Sequence, residues 1–345
     1  MKLHRTISTI FLSVIVCVCA VAQDIHFSNF FSNSLNLNPA MSGAIKGSWR
    51  FNLTARDQYR TVAVPYKTFS FGVDTRLHNP HSGIPPLGVG LLIDYDLAGD
   101  AYYSATQLLL PVALHFPINQ FTISPAIMPG IGFHSLDYSL LRFPDQFGGT
   151  HFDPDIPTGE NLENTHRKFF NLGAGLMFNF RPSNLFSYTL GFAAYNLNRP
   201  DISWFGSNSV HLPVRSLIHA MALLQVSKSF DVVPLAKFQW QRRQQQYQFG
   251  GMGIAYLNNP SIYKTMFGLF YRAHDHDAIV LALGFNYRGF DIMFNYDANI
   301  SQLQTASHTI GAFEITLTHV MLKQNNNGRR PNANMRRAVR CPGHI

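Results

Sequence analysis

Hydrophobic and polar residues alternate one by one over most of this chain. The clearest case is the pair of arms 278–288 and 290–297, which meet at Gly289. A strand places alternate residues on opposite faces, so each arm is predicted to be an amphipathic strand. The large apolar residues that share one face are Ile279, Leu281, Leu283, Phe285, Tyr287, Phe290, Ile292, Phe294 and Tyr296. That face would meet either the second sheet of a sandwich or the lipid around a barrel.

The same alternation recurs in fourteen segments. Eleven residues rising about 3.3 Å each and tilted about 40° span roughly 27 Å, which matches an apolar band of about 25 Å. The segments are 49–56, 68–74, 87–97, 102–116, 121–133, 168–181, 187–197, 214–227, 231–242, 245–257, 263–273, 278–288, 290–297 and 308–320.

The connections between these segments also alternate in length. Those after even-numbered segments are mostly short turns, whereas the longest connections, 134–167 and 198–213, follow odd-numbered ones. Short turns on one rim and long loops on the other are typical of outer-membrane barrels. In lipid an open sheet edge leaves backbone groups unpaired, which favours closure. We therefore predict an all-β fold, with one closed antiparallel transmembrane barrel of about 14 strands over residues 48–320.

Composition favours the barrel over soluble domains. Only 13% of the 345 residues are charged, about half the soluble average. The chain is also rich in aromatics, with 29 Phe and 14 Tyr. Tyrosines near the predicted strand ends, among them Tyr195 and Tyr287, are predicted to form girdles at the membrane interfaces.

The N-terminus has the features of a secretory signal peptide. Lys2 and Arg5 precede an apolar run from Ile7 to Val21, and small residues end at Ala22. We predict that residues 1–22 are removed; a membrane anchor is the alternative, but the run is short for a span. The mature chain then keeps a single cysteine, Cys341, which excludes an intramolecular disulfide.

Once the predicted signal peptide is removed, the excess positive charge is confined to the C-terminal tail, residues 321–345. The chain carries a net charge of +8, but outside the signal peptide and this tail basic and acidic residues balance. A nucleic-acid partner is therefore not expected. The tail is predicted to be flexible and solvated, with a docking arm for an acidic partner or envelope surface as the alternative.

Two polar clusters could bind a metal. These are His274–Asp277 and the acidic loop 145–163. A polar hairpin tip is the preferred interpretation of the first, because four neighbours on a strand point to two opposite sides and no further ligand is evident. A solvated loop is preferred for the second, because its spacing matches no EF-hand loop. No phosphate loop or nucleophile elbow is present. We predict no catalytic, cofactor-binding or metal-binding residues, and no enzymatic activity.

Charged residues of both signs fall on the face opposite the apolar one. We expect them to pair across the lumen in a structural role. This inward set is Arg50, Arg56, Asp74, Lys237, Arg272, Arg288, Asp291, Asp297 and Glu314.

The segment before the first strand, residues 23–47, is too apolar for a plain linker. It contains Phe27, Phe30 and Phe31, followed by the run from Leu35 to Gly43. Such groups require burial. We expect the segment to pack at the periplasmic mouth, either as a plug or against a partner protein.

Four motifs resemble the PorP/SprF outer-membrane proteins of the Bacteroidetes type IX secretion system. They are the Gln-Asp-x-x-Phe-Ser start at 23–28, Leu-x-Leu-Asn-Pro-Ala-x-x-Gly at 35–43, Arg-x-Gln-aromatic at 56–59 and Lys-Thr-Phe-Ser at 67–70. The resemblance implies a bacterial outer-membrane protein that assists secretion or surface attachment of cargo, including adhesins in gliding relatives. The implied partners are outer-membrane lipid, the periplasmic and outer-membrane subunits of the machinery, and secreted cargo.

The partner-contact or plug motif predicted within this segment has eight residues: Asp24, Phe27, Ser28, Leu37, Asn38, Pro39, Ala40 and Gly43. A passive porin or solute-uptake channel is the main alternative function. An enzyme in the lumen, such as a lipase, is a third possibility that no motif supports.

Overall fold

The computed structural model describes most of the chain between Ile25 and Met321. The described residues are 25–61, 64–79, 83–99, 102–137, 141–149, 151–158, 165–183, 185–204, 210–259, 261–273, 277–301, 307 and 309–321. The predicted signal peptide, Asp24, His274–His276, residues 159–164 of the acidic loop and the tail from residue 322 lie outside them.

Within these residues a short helical stretch is followed almost entirely by strands. The helical turns are α1 (Ser34–Leu37), a 3-10 turn at Pro39–Met41 and another at Pro144–Gln146. The strands are β1 (Trp49–Gln58), β2 (Tyr66–Leu77), β3 (Leu87–Ala98), β4 (Tyr103–Leu109), β5 (Val112–Leu114), β6 (Phe116–Ile118), β7 (Phe121–Ser135), β8 (His166–Phe180), β9 (Phe186–Tyr195), β10 (Arg215–Gln225), β11 (Phe230–Gln241), β12 (Gln244–Tyr256), β13 (Lys264–Ala273), β14 (Ala278–Tyr287), β15 (Phe290–Asn299) and β16 (Ile310–Met321).

The sheet closes on itself. Every strand pairs antiparallel with its neighbours, and β1 pairs with β16 from Trp49↔Met321 to Gln58↔Ala312. Segments β4, β5 and β6 form one wall strand, because all three pair with β7 and the first two also pair with β3. The protein is therefore a closed antiparallel barrel of fourteen strands, which confirms the predicted fold class.

The wall strand made of β4, β5 and β6 was predicted as one uninterrupted segment. It breaks first at Pro111, which has no N–H to donate to a ladder, although its carbonyl still accepts from Gly90 N at 2.9 Å. It breaks again at His115, whose ring is buried in the lumen.

The two faces of the wall follow the predicted alternation. In the β14–β15 hairpin Leu281 and Leu283 are exposed on the outer face, whereas Val280 and Ala282 are buried on the inner face. The acidic residues Asp291 and Asp297 also face inward. The outer face is thus a band of exposed aliphatic and aromatic side chains, as a lipid-facing wall requires.

The two rims differ in loop length, as predicted. We call the rim where β1 begins and β16 ends the lower rim, and the opposite one the upper rim. The longest connections, 136–165 and 196–214, join strand ends at the upper rim, and two-residue turns such as 288–289 join strand ends at the lower rim. In outer-membrane barrels the short turns typically face the periplasm.

Two residues differ from their predicted places. Arg288 does not face the lumen: it lies in the turn between β14 and β15 with φ +50° and is exposed. Tyr195 does not belong to an interface girdle, because its ring is buried in the lumen. No helix among the described residues is long and apolar enough to cross a membrane.

The lipid-facing band yields a direct test. Leu283 lies near the middle of β14 and is 65% exposed on the outer face, so Leu283→Arg should lower the free energy of unfolding in lipid vesicles by about 2–4 kcal/mol. Leu283→Met is the matched control and should change it little. Equal stability of the two variants in denaturant titrations would contradict the lipid-facing assignment.

Candidate functional site in the barrel lumen

Residues 25–45, which we call the lumen segment, fill the inside of the barrel. At its start, Arg215 at the upper end of β10 donates to Ile25 O at 2.8 Å. At its end, Gly43 N donates to Asp74 Oδ2 at 2.7 Å, near the lower end of β2. The segment therefore descends through the lumen from the upper part to the lower rim, where β1 begins. This corrects the expectation that it packs at the periplasmic mouth.

Ser28 lies at the centre of a buried charge cluster near the upper part of the lumen. Asp297 pairs with Arg56 and with Arg272, each at 2.9 Å, and Glu314 pairs with Arg56 at 3.1 Å. The Ser28 hydroxyl donates to Asp297 at 2.6 Å and accepts from Arg56 at 2.5 Å. These contacts connect β1, β13, β15 and β16 through one serine.

Glu314 also holds the backbone of the lumen segment. Its two carboxylate oxygens accept from Ser28 N and Asn29 N, both at 2.9 Å. Gln248 on the facing wall donates to Ser28 O at 2.7 Å. Hydrogen bonds to a charged group are stronger than neutral ones, so the carboxylate fixes this part of the segment firmly.

A second ion pair holds the lower half of the segment. Arg50 and Asp74 form a two-bond pair at 2.8 and 3.0 Å, and both side chains are buried. Arg50 also donates to Ser34 Oγ at 3.0 Å and to Met41 O at 2.9 Å. A buried pair is retained only when its remaining donors and acceptors are satisfied, and here the lumen segment satisfies them.

Asn38 both shapes the segment and anchors it to the wall. Its Oδ1 accepts from Ala40 N at 2.9 Å and caps the 3-10 turn, while Pro39 stands at the first position of that turn, where no N–H is needed. Its Nδ2 donates to Leu176 O and Phe192 O, each at 3.2 Å. Room for this side chain exists because residues 175 and 191 of the wall are glycines, at which a Cβ would overlap Asn38 or His219.

Gly43 allows the segment to leave the lumen tightly against the wall. It has φ +67°, in the left-handed region that favours glycine. A Cβ there would lie 2.5 Å from the Cα of Gly88 on β3. Both its conformation and its contact therefore require glycine at this position of the motif.

Single polar side chains of the wall hold the rest of the segment. Tyr195 donates to Asn36 O at 2.8 Å, and Asn36 Nδ2 donates to Asp94 at 3.0 Å. His115 lies 2.8 Å from both Ser42 O and Ser124 Oγ. Because a carbonyl only accepts, the Nε2 of His115 carries the proton, and its Nδ1 accepts from Ser124.

Apolar packing completes the filling of the lumen. Phe30 and Phe31 lie 5.8 Å apart, and both contact Phe270 of β13, at 6.3 and 5.5 Å between ring centroids. Leu37, Ala40 and several wall methionines belong to the same buried cluster. Aromatic pairs at these distances are favourable beyond the area they bury.

Above the lumen segment, a cavity of about 300 Å³ lies towards the upper rim. It is lined by His26 and by amide side chains such as Gln58, Gln241 and Gln244, together with Tyr59. Burial, with Arg56, Arg272 and Lys237 nearby, lowers the pKa of His26 well below its ordinary value. His26 is therefore neutral at pH 7.

The structure brings together seven of the eight residues of the predicted motif. Phe27, Ser28, Leu37, Asn38, Pro39, Ala40 and Gly43 are all buried in the lumen. Asp24 lies outside the described residues. The side chains that hold the motif are mainly those of the inward charged set, for which the sequence suggested only structural pairing. Sequence reasoning missed Asn36 in the lumen segment and two wall residues, His115 and His219, whose Nε2 lies 3.2 Å from Asn38 Nδ2. An isolated polar residue carries no sequence signal of its partner.

The two clusters considered for metal binding give no such site in the described part of the chain. No group of three or more His, Cys, Asp or Glu side chains is arranged there to hold a metal. Asp277 is instead paired with Arg272 at 2.5 Å. In the acidic loop Asp153 accepts from Asp155 N. His274, His276, Glu160 and Glu163 lie outside the described residues.

Comparison with known proteins identifies one family from the sequence. The family model of the type IX secretion system membrane protein PorP/SprF matches residues 20–319. No curated protein matches the sequence.

Several solved structures are similar to this chain at very low identity. A TodX mutant described as a monoaromatic hydrocarbon channel has 11% identity and a TM-score of 0.49, with 85% of this chain and 94% of that one covered. The CymD monoaromatic hydrocarbon channel has 10% identity and a TM-score of 0.48, at the same coverage. A Pseudomonas aeruginosa FadL homologue has 10% identity and a TM-score of 0.47, covering 82% and 92%.

Asn38 is the most informative position at which to test the docking of the lumen segment. Asn38→Ala removes a cap and two hydrogen bonds to wall carbonyls, so it should cost about 2 kcal/mol of unfolding free energy. Planar-bilayer recordings should also show open events that are rare in the parent protein. Asn179→Ala is the matched control, because Asn179 bonds to Tyr188 and Thr189 of β9 instead. Indistinguishable recordings from the two variants would argue against this role of Asn38.

Proposed function

This chain belongs to the PorP/SprF family of type IX secretion system membrane proteins, and from that premise we propose that it works as a closed, non-enzymatic barrel. In this role it assists the secretion or surface attachment of cargo proteins through contacts with the secretion machinery. As a member of this family with a membrane-barrel fold, it is an outer-membrane protein of that system.

The observation that carries the proposal is where the family-like motif lies. Leu37, Asn38, Ala40 and Gly43 are the positions by which the chain resembles the family, and they are also the positions at which the segment docks in the lumen. The motif by which the chain resembles the family is therefore the same segment that fills the lumen. This supports a filled lumen as part of the function that the family shares.

The filled lumen argues against the alternative function as a passive porin. A diffusion pore needs a continuous aqueous channel, as in large porins. Here Phe30, Phe31 and Met41 are at most 4% exposed and pack against the wall. Solute could pass only if the lumen segment moved away from at least two buried ion-pair clusters.

Burial also changes where partners would bind. Residues 27–43 are mostly inaccessible inside the wall, so a periplasmic subunit cannot contact them while the segment is docked. We propose that the machinery and its cargo contact the rims of the barrel. In this view the lumen segment keeps the rims in one fixed geometry, because it joins β1, β2, β13, β15 and β16.

Conductance separates this proposal from the porin alternative. The parent protein should be electrically silent in planar bilayers, whereas deletion of residues 25–43 should give a large steady conductance, because the lumen loses its filling. A parent protein with a stable open pore would support the porin. Insertion of the deleted protein is checked by the shift in gel mobility that folded barrels show on heating.

Secretion tests the second half of the proposal. In cells that lack the native gene, the deletion of residues 25–43 should abolish export or surface attachment of type IX cargo. The parent protein should retain machinery subunits on purification in mild detergent. The matched control is Leu283→Met, which alters only the outer face. Unchanged cargo secretion by the inserted deletion variant would refute a role for the closed lumen.

A further inference from the structure

Lys237 is a buried lysine of the lumen that belongs to none of the ion pairs of the described residues. It faces inward from β11 and is 4% exposed. Its ammonium lies 5.2 Å from the centroid of the Phe30 ring. Among the described residues no carboxylate forms an ion pair with it. The other lumen lysine, Lys264, pairs with Asp291 at 2.8 Å.

A buried ammonium without a counter-charge is energetically unfavourable. Removing an isolated charge from water costs far more than a single cation–π contact of about 2 kcal/mol returns. A buried amine therefore either loses its proton or is paired with an opposite charge, and a bound anion would keep Lys237 charged. The surroundings of Lys237 therefore indicate which ion is suitable.

The ammonium of Lys237 borders a small cavity between the lumen segment and the wall. The cavity has a volume of about 20 Å³, and His26, Phe30, Asn33, Arg215 and Lys237 are among the residues that line it. Space for about one water-sized particle needs roughly 10–15 Å³. One small ion fits there, but an organic anion does not.

The polar groups around this cavity are suited to an anion. Lys237 and Arg215 contribute two positive charges, and the described residues of the lining include no carboxylate. The side-chain amide nitrogen of Asn33 is also buried, and the described residues offer it no acceptor. A set of cationic and N–H donors selects a negative ion over a cation.

We propose that this cavity binds one halide-sized monovalent anion, chloride in the cell, between Lys237 and the lumen segment. The barrel supplies Lys237 and Arg215, and the lumen segment supplies His26, Phe30 and Asn33. The site is therefore complete only when the segment is docked. Linkage then requires the anion to stabilise the docked state.

The ion site is next to the larger cavity above it. His26 and Gln239 line both cavities, so these two side chains separate Lys237 from the space towards the upper rim. The neutral state of His26 leaves Lys237 and Arg215 as the charges that hold the ion.

The test compares two sodium salts on the full-length protein in detergent. At equal concentration, chloride should raise the thermal unfolding midpoint by several degrees over gluconate, which is too large for the cavity. The midpoint should rise with the logarithm of the chloride concentration. Lys237→Met should abolish the difference between the salts, while Lys264→Met, the matched control, should keep it.

Crystals soaked in sodium bromide provide a direct readout that does not depend on any variant folding. An anomalous peak within hydrogen-bond distance of Lys237 Nζ is expected. Absence of that peak, or equal midpoints in both salts for the parent protein, would overturn the proposal. So would a Lys237→Met variant that keeps the chloride dependence. None of these outcomes bears on conductance or secretion, so the proposed function is tested separately.

Discussion

The hydrogen bonds between β1 and β16 are the constraint on which the whole structure depends. Lipid offers no partner for a free N–H or carbonyl, so a sheet that spans a membrane has to close. Fourteen strands close around a lumen too wide for wall side chains alone to fill. The chain fills it with its own residues 25–45, and inward side chains from many of the strands hold that segment. Closing the wall thus creates a lumen, and the lumen segment fills it.

The filled lumen resolves what is otherwise an unfavourable arrangement of charges. Arg50, Arg56, Asp297 and Glu314 are all buried, and each would be costly in an unfilled apolar space. The backbone and hydroxyl groups of the lumen segment give them the additional hydrogen bonds that make buried pairs tolerable. Wall side chains in turn bond the backbone N–H and carbonyl groups of the lumen segment that its short helical turns leave unpaired. The polar groups of the wall and of the segment are therefore satisfied only when the segment is docked.

Much of the fold could be predicted from the period-two pattern, because strand geometry ties that pattern directly to a face. Where residue type was given more weight than position, the prediction failed: Tyr195 has the parity of inward residues, yet its ring suggested an interface girdle. Arg288 shows the opposite limit, since alternation does not continue through a turn with positive φ. The sequence allowed a plug at the mouth of the barrel but could not predict that the motif lies inside the lumen. Apolar content shows that Phe30 and Phe31 need cover, but the cover comes from residues such as Phe270 and Glu314, which are far away along the chain.

The charge cluster around Ser28 has a consequence for how the barrel is assembled. Arg56 belongs to β1 and Glu314 to β16, the first and the last strand of the barrel, which pair with each other. Ser28 contacts both residues. The lumen segment therefore spans the seam at which the cylinder is sealed. If β1 and β16 paired one residue out of register, Arg56 would no longer lie opposite Glu314. The hydrogen bonds of Ser28 to both residues would then be lost. The lumen segment thereby favours the correct register between the first and the last strand of the barrel.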